Sequence, residues 1–176
     1  FHAKPPVLPD DDATWDMQLA IQAELDAAGF KQYEVSAYAQ PGRECQHNLN
    51  YWQFGDYLGI GAGAHGKITT GNNIARRWKL KRPEDYLSKA GMPAVIGGEQ
   101  RLAQADAIAE FMLNALRLTG GFPIALFTER TGLALDAVET NLRRAEQQDL
   151  IARNATTLCP TEQGRHFLNN LIELFI

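Results

Sequence analysis

The chain has 176 residues, enough for one sizeable hydrophobic core or two small ones. Apolar residues make up 45% and charged residues 22%, the balance of a soluble globular protein, and no apolar run approaches the roughly 18 to 20 residues of a membrane span. With 17 basic and 21 acidic residues the formal charge is −4, which argues against a general nucleic-acid binder. The two cysteines, Cys45 and Cys159, cannot build a disulfide framework, an all-thiolate zinc site or a three-thiolate iron–sulfur site.

The opening "FHAKPP" has no initiator Met and no basic-then-apolar signal pattern, so the chain reads as a piece of a longer protein, with a reducing cytoplasm as its default compartment. Three prolines within "KPPVLPDDD" predict an extended lead-in. The aspartates then cap a helix over about residues 12–28, with Met17, Ile21, Leu25 and Ala28 at helical spacing and Gly29 closing it. "YEVSAYA" (Tyr33–Ala39) alternates as a strand, and "QPGRE" turns the chain. The hexapeptide "HNLNYW" (His47–Trp52) falls at the start of a short helix or in an ordered loop. "DYLGIGAGAHGKITT" reads as a strand entering a glycine-rich loop, and "RRWKLKR" (76–82) as a strand with a solvated face. A helix follows over about Pro83–Ala90 with Pro83 in its first turn, and then loop and short strand in "GMPAVIGGEQRL".

The character of the chain changes near Ala103. Ile108, Phe111, Met112, Ala115 and Leu116 form a helical stripe that "GGFP" breaks. A short helix ends at Gly132, and another spans about residues 134–148. "LIARN" and "TTLCP" are two short strands, and Thr161 caps a last helix whose Phe167, Leu168, Leu171, Ile172 and Phe175 face the core. Three helices, a small hairpin and a helix make a winged-helix-like order, so two domains are expected, 1–102 mixed α/β and 103–176 mainly helical.

Four features bear on chemistry. Gly61, Gly63 and Gly66 have a G-x-G-x-x-G spacing, but the strand-like "KITT" follows where a dinucleotide fold opens a helix, so the glycines read better as a sharp turn or close backbone approach, with His65 as the one functional side chain there. In the hexapeptide, His47 can ligate iron, Tyr51 and Trp52 can stack on a macrocycle, and Asn48 and Asn50 can fix a propionate; read bare, the same residues are better explained as ordinary packing around a structural histidine. Cys159-Pro160 is a dipeptide that sometimes binds haem, yet a strand-end structural cysteine is the better reading. Residues 103–176 hold nine acids and six arginines, with no lysine, so the helical unit reads as structural or docking rather than DNA-binding.

At "HNLNYWQFGDYLGIGAGAHGKIT" the sequence closely resembles the C-terminal part of the HemW family, relatives of oxygen-independent coproporphyrinogen III oxidase among the radical S-adenosylmethionine (SAM) proteins. "PPVLPDDD", "QYEVSAYA" and "TEQGRHFLNNLIELFI" extend the resemblance over essentially the whole chain. It implies that residues 1–102 end a partial (β/α) barrel and its flank, that 103–176 form the family's C-terminal domain, and that a 4Fe–4S cluster and SAM sit mainly upstream of Phe1. The HNxxYW motif implies haem binding by His47, Asn48, Tyr51 and Trp52, with His47 the axial metal ligand ahead of Cys45. Asn50 and His65 fall where the oxidases place residues near SAM; those enzymes carry Gln and Ile there, a departure that favours haem handling over decarboxylation.

The implied function is a haem chaperone that binds haem and passes it to haem-requiring proteins. The rival readings are an oxygen-independent coproporphyrinogen III oxidase and, for 103–176, a docking or nucleic-acid-binding module. Without cluster ligands this chain alone is expected to be inactive as an enzyme, and the open strand edges of a partial barrel favour a homodimer of the isolated piece.

Overall fold

The computed structural model describes residues 6–176, so the lead-in at Lys4 and Pro5 lies outside the described residues. Two compact units divide between Glu44 and Cys45.

In the first unit, residues 6–10 are irregular and α1 spans Asp11–Ala27. Asp10 accepts a hydrogen bond from the Ala13 N–H at 2.8 Å, and Asp11 and Asp12 place negative charge at the helix N-terminus. The helix stops at Ala28, and Gly29 takes φ +81°, the left-handed conformation that the sequence assigned to it. None of its residues is buried, and Met17 and Ile21 stay exposed.

The single strand expected over Tyr33–Ala39 is instead a hairpin, β1 (Lys31–Glu34) and β2 (Ala37–Ala39), paired antiparallel with Lys31 opposite Ala39. The Gln32 side-chain amide donates to the Val35 carbonyl at 2.9 Å and the Ser36 hydroxyl to Glu34 at 3.0 Å, which folds the chain back. Alternating hydrophobicity continues through such a turn, so the pattern alone does not mark it.

The second unit begins with α2 (Gln46–Trp52), which settles the hexapeptide as helix. Phe54 then adopts φ 54°, a conformation that L residues rarely take, and its ring is buried. A three-stranded antiparallel sheet follows in the order β3 (His65–Thr70), β4 (Asn73–Lys79), β5 (Ile96–Arg101). The strand expected before the glycine-rich loop shrinks to one bridge, Tyr57 to Lys67, and the real strand starts at the loop's end with His65. The basic strand ends at Lys79, leaving Leu80 and Lys81 beyond it. Between β4 and β5 come α3 (Pro83–Ser88), with Pro83 in its first turn, and a single tight turn at Pro93–Val95.

Next come α4 (Gln104–Ala115) and α5 (Ile124–Thr131), which Gly132 ends at φ 72°. A tight turn at Leu135–Val138 runs into α6 (Glu139–Gln147). A second sheet adds an unforeseen strand, β6 (Phe122–Pro123), to the expected pair β7 (Ile151–Arg153) and β8 (Thr157–Pro160), in the order β6-β8-β7. Two residues at a helix start have no periodicity to read, so β6 was silent in the sequence.

The last helix is broken into α7 (Glu162–His166) and α8 (Leu168–Glu173). Thr161 caps α7 as expected, accepting from the Gly164 N–H at 2.9 Å. Phe167 sits at the break with φ −107° and ψ 42°, is 56% exposed and does not face the core, whereas Leu171, Ile172 and Phe175 do. Gly164 is pressed against the Leu150 carbonyl, so the first turn docks closely and the second must re-aim.

Phe111 on α4 is the hub of this unit's core. Its ring meets Phe54, Phe122 and Phe127 edge-on at 6.0, 5.2 and 5.2 Å. Phe54 and Ile74 thus share one buried cluster with the helices that follow. The architecture is α/β, with helices and small sheets, and among the described residues no helix is long and apolar enough to cross a membrane.

Candidate functional site

The motif helix α2 is short and has no side-chain cap at Cys45, so its neighbours hold it. The Gly55 N–H donates to the Asn50 carbonyl at 2.7 Å, and the Asn50 side-chain amide donates to the Asp56 carbonyl at 3.0 Å. A Cβ on Gly55 would overlap the Asn50 amide, so the glycine lets the chain leave the helix tightly. His65, the other residue expected to contact cofactor, opens β3 and stacks on Trp78 at 6.0 Å between ring centres.

His47 is exposed in the first turn of α2, and Tyr51 lies one helical turn further along the same side. Asn48 and Trp52, offset by the same spacing, are half-buried. The Tyr51 and Trp52 rings meet edge-on at 5.3 Å, and Tyr51 also packs on Tyr57 at 5.1 Å. The Tyr57 hydroxyl accepts from Arg76 at 2.6 Å, and Arg76 Nε donates to Glu110 of α4 at 3.0 Å. Burial pushes the Tyr57 hydroxyl's pKa up, its hydrogen bond with Tyr51 adds to that, and the Arg76 charge opposes it. Burial alone would lower the Arg76 pKa, but the Glu110 carboxylate beside it raises it. The Arg117 guanidinium, just past α4, covers the Trp52 ring at 4.5 Å from its centre. Trp52 Nε1 is buried and has no acceptor among the described residues.

A second cluster was invisible in the sequence. Lys67 of β3 is 2% exposed, pairs with Asp56 at 2.8 Å, and places its ammonium 4.1 Å from the centre of the Phe54 ring. Thr69 donates its N–H and hydroxyl to the same carboxylate at 2.7 and 2.8 Å. Burial would raise the Asp56 pKa, but these donors hold it below the usual carboxylate value; burial lowers that of Lys67. The only cue was the shared strand face of Lys67 and Thr69, and it named no partner.

Cys45 is exposed beside the motif, whereas Cys159 hydrogen-bonds through its sulfur to the Thr119 carbonyl at 3.3 Å. Burial pushes the Cys159 thiol's pKa up, which suits a structural role. Among the described residues no three His, Cys, Asp or Glu side chains converge to hold a metal ion. The motif's donor set instead fits an iron that already has a macrocycle and needs an axial nitrogen, with His47 reachable from solvent and aromatic rings beside it.

Residues 102–167 match the HemN C-terminal domain family. Over its whole length the chain is 43% identical to the heme chaperone HemW of Escherichia coli and 46% identical to that of Haemophilus influenzae. The chain is a HemW relative. It spans about half the length of these HemW proteins, 46% and 45%. The HemW of Mycobacterium tuberculosis is 42% identical over 66% of the chain and is covered over 29% of its own length. Among solved structures, the E. coli coproporphyrinogen III oxidase HemN, described as a radical SAM enzyme, matches 96% of this chain and 42% of its own with a TM-score of 0.65. At 16% identity that likeness shows a shared fold.

Proposed function

We propose that this chain supplies the haem-holding segment of a radical-SAM-type haem chaperone, which binds haem as cargo and delivers it to haem-requiring acceptor proteins. The carrying observation is the HNxxYW motif on one short helix, with the imidazole of His47 exposed and two aromatic rings anchored behind it. His47 is the axial iron ligand, Tyr51 and Trp52 wall the macrocycle's slot, and Asn48 steadies its polar edge. Similarity to HemW proteins along the whole chain supports the same reading.

Asn50 and His65 form the side that faces SAM in the intact protein. The 4Fe–4S cluster and the greater part of the SAM site belong to residues beyond this chain, whose two cysteines cannot supply three thiolates. In this reading residues 1–102 end a partial β/α barrel and 103–176 form a winged-helix-like domain. The negative charge of 103–176 favours a protein-docking role over nucleic acid, the compartment is the cytoplasm, and open barrel edges favour a homodimer of the isolated piece. The oxidase reading has behind it the HemN C-terminal domain match over residues 102–167 and a fold likeness at 16% identity, against 43–46% identity to HemW proteins along the whole chain.

Haem titration followed by the Soret band tests this by comparing the protein with its His47→Ala variant. Weaker binding and a shifted Soret maximum are expected. An unchanged spectrum and affinity remove His47 from the ligand role. Vinyl product from coproporphyrinogen in an anaerobic assay of the reconstituted protein would replace the chaperone reading with the oxidase.

A further inference from the structure

A cleft of about 550 Å³ lies between the β4–β5 ribbon and the segment that joins α3 to β5. That volume falls within the roughly 300–1,000 Å³ of small-molecule sites. Arg77 and Lys79 of β4 line it from the sheet, with Glu99 of β5, while Tyr86 of α3 and Met92 and Val95 of the connecting segment line the opposite side. Arg77 is already answered, since its Nε donates to Glu99 at 2.7 Å. Lys79 is half-buried and has no ion pair among the described residues, so the cleft carries one net positive charge. Its neighbour Gly97 lies close enough that a Cβ there would come within 3.0 Å of the Lys79 carbonyl, which keeps this part of the sheet low. Val95 is buried and Met92 is 56% exposed, an apolar wall with an adaptable rim.

We propose that this cleft binds a molecule with a large apolar body and a carboxylate, the carboxylate pairing with the Lys79 ammonium and the body lying against Met92 and Val95. A half-buried cation beside apolar surface is well matched by an anion that brings its own hydrocarbon. The Tyr86 hydroxyl, in the cleft wall, also accepts from the Gly61 N–H at 3.3 Å.

The chemistry is shared by porphyrin carboxylates and fatty acids, so metal-free protoporphyrin IX and dodecanoate serve as separate probes in calorimetric titration. Neither offers an iron atom, so the outcome is independent of His47 as a ligand. At least one probe is expected to bind, with Lys79→Gln weakening it about tenfold or more and Lys79→Arg retaining it. The methyl resonance of Met92 is expected to shift on addition while that of the core residue Met112 stays put, a readout that needs no variant. Absence of binding by both probes, binding indifferent to Lys79→Gln, or a still Met92 signal would overturn the proposal.

Discussion

The Arg117 guanidinium lies 4.5 Å from the centre of the Trp52 ring, which pins one end of the motif helix to the end of α4. The Arg76–Glu110 pair, through Tyr57 and Tyr51, holds its other side. The motif's rings are therefore positioned by side chains far away in sequence, and His47 is left as the exposed member.

Arg117→Ala should lower stability by about 1 kcal/mol, the scale of a partly desolvated cation–π contact, and shift Trp fluorescence to the red as water reaches the indole. A thermal melt with an emission spectrum checks both. Arg117→Lys should recover part of the loss, because the charge returns without the planar stack.

Haem binding and folding should separate along the motif. His47→Ala removes an exposed side chain and should change stability by less than about 0.5 kcal/mol. Trp52→Ala strips a half-buried ring from Tyr51 and Arg117 and should cost about 2 kcal/mol or more. Denaturant unfolding of both variants, run beside haem titration, distinguishes a ligand from a support.

The buried Lys67 makes a sharper test. Asp56→Ala leaves its ammonium without its partner carboxylate and should destabilise by about 3 kcal/mol, whereas Lys67→Met removes the charge and keeps the stem, and should cost less. If the two variants unfold at the same denaturant concentration, the pair does not hold the β3 end of the sheet in this way.

Acid stability should bear the mark of Glu139. Hydrogen bonds from Arg153 and Arg143 lower its pKa from 4.5 to about 2. A carboxyl depressed in the folded state contributes stability that is present above the unfolded value of 4.5 and is lost as pH falls through about 2. Asp56, whose pKa is also lowered, adds to the loss in the same direction. Glu139→Gln should flatten the fall in melting temperature between those two pH values, and an unchanged slope would remove Glu139 as a source.

Gly164→Ala should weaken the last helices by about 1–3 kcal/mol, because its methyl would overlap the Leu150 carbonyl. The same change at Gly120, which has open space around it, should cost far less, and thermal melts of the pair check the contrast.

Elements with local signals were legible. Asp10 and Gly29 bound α1, Pro83 opens α3, and the Phe111, Met112 and Ala115 stripe forms α4, because a cap or a periodicity is written within a few residues of itself. The motif's residue types also stand in the sequence, an imidazole and two aromatic rings within six residues, and the haem role built on them is the proposal made above. Tertiary structure alone decided that His47 is exposed while Trp52 lies under Arg117, that Lys67 is buried on Asp56, and that Arg76 spends its charge on Glu110, 34 residues away. It also decided that the chain doubles back at Ser36 and breaks at Phe167. Those outcomes depend on which surfaces meet across the fold, and a partner brought close only by folding leaves no spacing in the sequence to be read.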